Sequence, residues 1–323
     1  MLDRRLLMMG SAASLLASQS WGQAIKKPVH MIVGFPAGGG TDVTARVLAE
    51  ALHGSYASTV IVENKAGASA RLAVEYVKNA DPDGTVMLFT PDFPMTLYPH
   101  SFKSLSYNPL KDFTPVAPAT QSMLSFVVGP AVPANVKTPS DFVAWCKANP
   151  EKASYATTSA GATPHFVGVM FSSEAKTPMN PVHYRGGAPA LQDVVGGHIP
   201  ASVNPLSESI PLAKGGSVRI LAVTGSQRST FLPDVPTMKE SGYDVVVETW
   251  VGIFLPAKAP ADVVNALSTA IKEASHSQAL IDNLAKFGSV PTFQTPEEFA
   301  ATMKSELNRW GPIVKASGFV AID

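Results

Sequence analysis

The sequence predicts an α/β protein with largely parallel sheets flanked by helices. Two observations carry that prediction. Short apolar runs alternate with helical patterns through most of the 323 residues, as expected for strands joined by crossover helices. The stretch Phe35-Pro-Ala-Gly-Gly-Gly-Thr-Asp42 also places a glycine-rich turn between an apolar run and a helical pattern. In such folds ligands bind beyond the carboxyl ends of strands.

The elements follow in order. His30–Phe35 reads as the first strand and Val43–His53 as the first helix. In that helix Val43, Val47, Leu48, Ala51 and Leu52 share one face. Arg46 and Glu50 are spaced to pair on the other, and Gly54 serves as a C-cap. Further strands are predicted at Val60–Glu63, Val86–Thr90, Ser125–Gly129, Val182–Tyr184, Ile199–Asn204, Val218–Thr224 and Val245–Thr249. Helices are predicted at Ala70–Asn79, Thr138–Asn149, Pro164–Ser173, Pro189–Gly196 and Ser207–Lys214. The proline-rich stretch from Pro91 to Pro118 reads as a long surface excursion. From Ala259 onward the chain reads as mostly helix, with starts at Pro260, Ser277 and Thr295 and stops at Gly288 and Gly318.

Composition excludes several classes. An apolar fraction of 46% supports a packed core. A formal net charge of zero, without a basic stripe, argues against nucleic acid. Residues 1–24 read as a secretory signal peptide. Arg4 and Arg5 form its basic region and Leu6–Ala17 its apolar stretch, with Gly22 and Ala24 before the cut and Ser20 and Gly22 marking an alternative. The Arg4-Arg5-Leu6-Leu7 start also resembles a twin-arginine signal, so both export routes stay open. The lone Cys146 reads as a small buried apolar residue, not a thiol nucleophile.

The Phe35–Asp42 turn is neither a P-loop nor a dinucleotide fingerprint, because its glycines are contiguous and no Gly-Lys-Ser/Thr follows. It reads as a cradle of unpaired amides for a small anion. Asp42 would repel an anion held there, so a ligand carboxylate should meet it at a distance or through water. Two more turns share the strand–turn–helix grammar: Thr157-Thr-Ser-Ala-Gly-Ala-Thr163-Pro-His165 and Tyr184-Arg-Gly-Gly-Ala-Pro189. Together they predict a donor-rich cleft. Metal-ligand spacings and the nucleophile elbow are absent from the sequence. A hydrolase using Ser159 or Ser122 with His165 stands as the alternative from another class, and a ligand-responsive module for a membrane sensor as a third reading.

The turns belong to an ordered set that includes Val62-Glu-Asn-Lys-Ala-Gly67, Ala80-Asp-Pro-Asp-Gly84, Tyr107–Phe113, Leu221-Ala-Val-Thr224, Leu232-Pro-Asp-Val-Pro-Thr237 and Pro296-Glu-Glu-Phe299. This set resembles the Bug family, the periplasmic solute-binding proteins of tripartite tricarboxylate transporters. The resemblance implies a two-lobed binding protein of type II-like, Venus-flytrap architecture, with mixed, largely parallel sheets. It implies a first lobe of residues 25–123 and 250–323 and a second of 124–249. It also implies no catalysis, no cofactor, a small carboxylate as ligand, permease subunits as partners, a monomer, and a periplasmic location. In the family, main-chain amides and ordered water hold the ligand carboxylate.

Departures from the family pattern bear on specificity. Asn204 stands about where an Asp is common, which disfavours an amino-acid ligand. Arg71 lies in a turn that usually reads Ala-Gly-Gly-Asn and could supply a fixed cation. Phe93 and Met95 replace small residues. The expected ligand is therefore a dicarboxylate, with an aromatic one such as terephthalate among the candidates. The expected ligand-binding residues are Phe35, Ala37, Gly38, Gly39, Thr41, Asp42, Arg71, Phe93, Ser159, Ala160, Thr163, His165, Tyr184, Asn204 and Trp250.

Overall fold

The computed structural model of the protein describes residues 25–323, so the predicted signal peptide lies outside the described residues. The first half runs β1 (Val29–Val33), α1 (Gly40–Leu52), β2 (Val60–Asn64), α2 (Arg71–Lys78), β3 (Val86–Pro91), α3 (Phe93–Thr96), α4 (Tyr98–Ser101) and β4 (Phe113–Val128). Then follow α5 (Pro139–Ala148), β5 (Ser154–Thr157), α6 (Thr163–Glu174), β6 (Asn180–His183), α7 (Gly187–Val195), β7 (Ala201–Pro205), α8 (Leu206–Lys214) and β8 (Arg219–Val223). The chain returns on β9 (Glu248–Pro256) and ends with α9 (Ala261–Ser275), α10 (Gln278–Ala285), β10 (Val290–Pro291) and α11 (Pro296–Ala316). Pro260, Ser277 and Thr295 are the N-caps of α9, α10 and α11, as read from the sequence.

The strands pair in the order β2-β1-β3-β9-β4-β7-β5-β6, with β8 and β10 also on β4. The 16-residue β4 joins the two halves. It pairs with β9 through Met123 and with β7 from Leu124 onward. At about 3.3 Å per residue such a strand spans roughly 50 Å. Pairing is parallel between β1 and β2, β1 and β3, β5 and β6, and β5 and β7. Every pair made by β4 or β9 is antiparallel. The fold is therefore mixed more evenly than the alternation predicts. The chain leaves the first half on β4 and returns on β9, so the two must run in opposite directions.

Three other expectations are corrected. Pro91–Pro118 is not a surface excursion, because Asp92–Tyr98 is buried throughout. Two short helical turns, each with proline at its start, carry Phe93, Leu97, Tyr98 and Phe102 into one core with Phe126, Phe166 and Trp310. Burial of each such aromatic contributes roughly 2–3 kcal/mol. Secondly, β4 starts at Phe113, twelve residues before the predicted Ser125. Its prolines, Pro115 and Pro118, sit where the β4–β9 register slips, and a missing N–H is tolerated there. Thirdly, Arg46 pairs with Asp42 at 2.9 Å and not with Glu50. Asp42, Thr44, Ala45, Leu48, Ala49 and Leu52 form the buried face of α1. Cys146 is free and buried, and burial pushes its thiol up to about 12.

Candidate functional site

Besides the short α3, four longer helices begin on the wall of one cavity: α1 at Gly39–Thr41, α6 at Thr163, α7 at Gly186–Ala188 and α8 at Pro205–Glu208. The first amides of a helix have no partner within it, and the dipole makes that end positive. Their cap residues are Gly39, Ala162, Gly186 and Pro205, and none makes a side-chain capping bond. By contrast α5, α10 and α11 are capped by Thr138, Ser277 and Thr295, and none of these caps lines the cavity. Away from the cavity α2 and α9 also start without a side-chain cap, so what marks the cavity is that several uncapped starts converge on one wall. The cavity encloses about 90 Å³, roughly the liquid volume of three waters.

The Phe35–Asp42 turn is built from within its own half. Asp42 is 2% exposed, and its carboxylate accepts from the Gly38 amide at 2.9 Å, Arg46 at 2.9 Å and Asn64 at 2.9 Å. Burial pulls its pKa upward. The hydrogen bonds from Arg46, Gly38 and Asn64 outweigh that pull and hold it below the ordinary carboxylate value. Asp42 faces away from the cavity, so it is a brace for the turn and not a neighbour that the ligand must avoid. Gly38 spends its amide on that brace and does not line the cavity either.

The Gly40 amide has an occupant from the other half. It donates to Glu208 Oε1 at 3.0 Å, and Asn204 Nδ2 approaches Glu208 Oε2 at 3.4 Å. A Cβ on Gly187 would lie 1.9 Å from Glu208 Oε2, so only glycine leaves room for this carboxylate. Burial pushes Glu208 up to about 6 against the pull of Gly40 and Asn204. A second bridge joins Thr163 Oγ1 to Asp92 Oδ2 at 2.8 Å. Asp92 is 2% exposed on the cavity wall, and burial, aided by the charge of Glu306, pushes it up to about 8.

Of the expected ligand residues, the structure brings Phe35, Ala37, Gly39, Thr41, Phe93, Thr163 and Trp250 onto the cavity wall. The others lie elsewhere. Arg71 caps the Ala68 carbonyl at 3.1 Å and stacks on Phe102 at 4.1 Å, so it is not the cavity's cation. Ser159 bonds the Tyr98 hydroxyl at 3.1 Å, and Ala160 beside it is off the wall. His165 Nδ1 accepts from the Gly161 amide at 3.1 Å. Burial and the neighbouring His183 pull His165 down to about 4 and keep it neutral. Ser159 and His165 thus have other partners and make no nucleophile–base pair. The Tyr184 hydroxyl donates to Asp193 at 2.6 Å. Asn204 stands behind the wall, donating to the Gly187 carbonyl at 3.3 Å.

Sequence reasoning passed over four residues. Arg185 lines the cavity exposed and, among the described residues, without an acidic partner. A cation directly before two glycines of a recognised turn was its available signal. Asp92 directly follows β3, where fold topology places ligands. Thr158 lines the wall with a buried hydroxyl that has no partner among the described residues. Glu208 left no signal, since an acid in a first helical turn usually serves the dipole.

Residues 44–319 match the family described as "Tripartite tricarboxylate transporter family receptor". The chain is 31% identical to protein BugT of Bordetella pertussis over 90% of each. Among solved structures it resembles R. palustris Rpa4515 with adipate, with a TM-score of 0.86 and 26% identity over 92% of this chain and 98% of that one. It also resembles MatC from Rhodopseudomonas palustris with bound malate, with a TM-score of 0.83 and 26% identity over 89% and 98%.

Proposed function

The chain belongs to the tripartite tricarboxylate transporter receptor family, and from that premise we propose that it captures a small dicarboxylate in the periplasm and delivers it to a membrane permease. The observation that carries this reading is the set of four uncapped helix starts on one cavity. Converging helix starts present amides and positive dipole ends that favour an anion, and Arg185 adds a full charge. Phe35, Phe93 and Trp250 on the same wall suit a carbon body between two polar ends. That body is aliphatic or aromatic, with terephthalate among the candidates.

Capture works by population shift. We place the lobe boundaries at the partner change of β4, between Met123 and Leu124, and at the start of β9. A ligand touching α1 from one lobe and α6, α7 and α8 from the other favours the closed form, since only that form gives it both sets of donors.

Calorimetric titration of the mature chain with malate, adipate, terephthalate and glutamate tests the reading. At least one dicarboxylate is expected to bind with micromolar or tighter Kd, and Arg185→Ala to weaken it about tenfold or more, the scale of one charge-assisted contact. Binding of glutamate alone, or of no carboxylate, would overturn it.

A further inference from the structure

We propose that Asp92 selects the inner end of the ligand by offering a carboxyl O–H, so that the site takes an oxygen acceptor there (a second carboxylate or a carbonyl) and rejects an ammonium. The inference rests on the carboxylate reading above. Its geometry is specific. Asp92 is fixed by its own amide, which donates to the Trp250 carbonyl at 3.1 Å. Its side chain is buried on the cavity wall between Phe93 and Trp250, and it meets Thr163 Oγ1 at 2.8 Å.

A count of hydrogens decides what this pair can do. An ionised Asp92 and Thr163 hold one O–H hydrogen, which their mutual bond consumes, so the pair can offer the cavity only acceptors. With Asp92 protonated the pair holds two hydrogens and one mutual bond. One hydrogen is left for the cavity, whichever oxygen carries it.

The surroundings favour the protonated pair. No Lys or Arg among the described residues lies within ion-pair distance of Asp92. An isolated buried carboxylate costs several kcal/mol, and the group takes up a proton instead. Glu306 on α11 faces it from behind Trp250, whose Nε1 donates to Glu306 Oε2 at 2.9 Å, and adds a like charge. His165 on α6 and His100 on α4 turn away, to the Gly161 amide and the Leu307 carbonyl. Glu208 and Arg185 share the cavity. Burial with the Glu306 charge outweighs the hydrogen bonds from Thr163 and nearby amides and carries Asp92 to about 8, whereas Glu208 and His165 titrate near 6 and 4. Burial raises Glu306 as well, so the Asp92→Asn control separates the two.

Two measurements test this. In ligand-free protein, infrared difference spectra are expected to show a protonated-carboxyl band at pH 7. The band should fade above about pH 8 and be missing in Asp92→Asn. Its absence from the wild type at pH 7 overturns the proposal whatever the protein binds. Adipate and terephthalate titrations from pH 6.5 to 9.5 give the second. Wild-type Kd should stay level to about pH 7.5 and rise about tenfold per unit well above pH 8, as for one required proton. Asp92→Asn, which keeps a donor, should bind three- to tenfold more weakly at pH 7 and show no such rise, while Asp92→Ala should lose at least thirtyfold. Affinity that tightens with pH, or a larger loss for Asn than for Ala, means that Asp92 gives the ligand no hydrogen and overturns the proposal. Failure of both probes to bind at pH 7 bears on the carboxylate reading, while the infrared band still decides the state of Asp92.

Discussion

The turns Phe35–Asp42 and Thr157–His165 are closed by the same device with opposite chemistry. In each, a glycine amide donates to a side chain four residues on: Gly38 to Asp42 at 2.9 Å and Gly161 to His165 at 3.1 Å. Both glycines take positive φ, +83° and +70°, which brings the amide round to that acceptor. The first acceptor is an anion, neutralised by Arg46 and hydrogen-bonded by Asn64. The second is an imidazole that burial keeps neutral. Neither turn thus carries an unbalanced negative charge, as the proposed anion site favours: one achieves this by pairing and the other by desolvation. In both, the side chains that look most like ligand contacts are spent on shaping the turn.

Removing the acceptors should separate the two solutions. Asp42→Ala strands the Gly38 amide, Arg46 and the Asn64 amide together. We expect a loss of about 3 kcal/mol, the scale for hydrogen bonds to a buried charged group. Asp42→Asn should lose about half of that. Urea unfolding midpoints at constant m-value report it. An Asp42→Ala protein as stable as the wild type would mean that the glycine turn holds without its brace.

The second test uses pH. The folded-state pKa of His165 lies near 4, below its ordinary value of 6.5. The unfolded chain therefore binds more protons between these values. The stability conferred by neutral His165 is complete above pH 6.5 and is lost as pH falls towards 4. A loss on the order of 2 kcal/mol is expected across that window. His183, also lowered by burial, adds to the wild-type slope. His165→Asn keeps an acceptor for Gly161 without a titrating group, and its slope should be shallower by that amount. Asp42 contributes below this window, because its pKa is lowered and its stabilisation fades only at stronger acid. Equal slopes for wild type and His165→Asn would remove the distinction between the turns.

The strand–turn–helix rhythm was legible because local pattern and tertiary demand agree. Thr157 to His165, Gly187 to Val195 and the cap at Thr295 each state their element within a few residues. What was not legible depends on partners far along the chain. Pro115 and Pro118 read as breakers until the slipped register of β9 excuses them. Arg71 and Arg185 look alike in sequence, each a cation near small residues. Only the approach of Phe102 and the Ala68 carbonyl draws Arg71 away. Glu208 became part of the site through Gly40, which lies 168 residues away.

A third turn sharpens the comparison by lacking glycine where the others have it. Ala68, Ser69 and Ala70 follow one another at φ of 45°, 56° and 70°, and each non-glycine residue there costs roughly 1–2 kcal/mol. The turn holds the Ser69 carbonyl against the Tyr98 hydroxyl at 3.0 Å. That hydroxyl also meets Ser159 of the second turn at 3.1 Å, so strain in one turn supports the position of another. Glycine at the exposed Ala68 would relieve the strain, while greater freedom of the unfolded chain returns about 0.5–1 kcal/mol. Relief wins by a small margin, and Ala68→Gly should stabilise the protein by about 0.5–1 kcal/mol, or roughly 1–2 °C in Tm. Ala70 is different. It is 2% exposed and packs so tightly on Gly34 that a Cβ there would come within 2.5 Å of its own. Ala70→Gly therefore loses packing as it gains freedom, and the two should cancel. Thermal melts of both variants test the pair: a fall in Tm for Ala68→Gly would mean that the left-handed run carries no strain worth relieving, and a rise for Ala70→Gly would mean that its packing is slight.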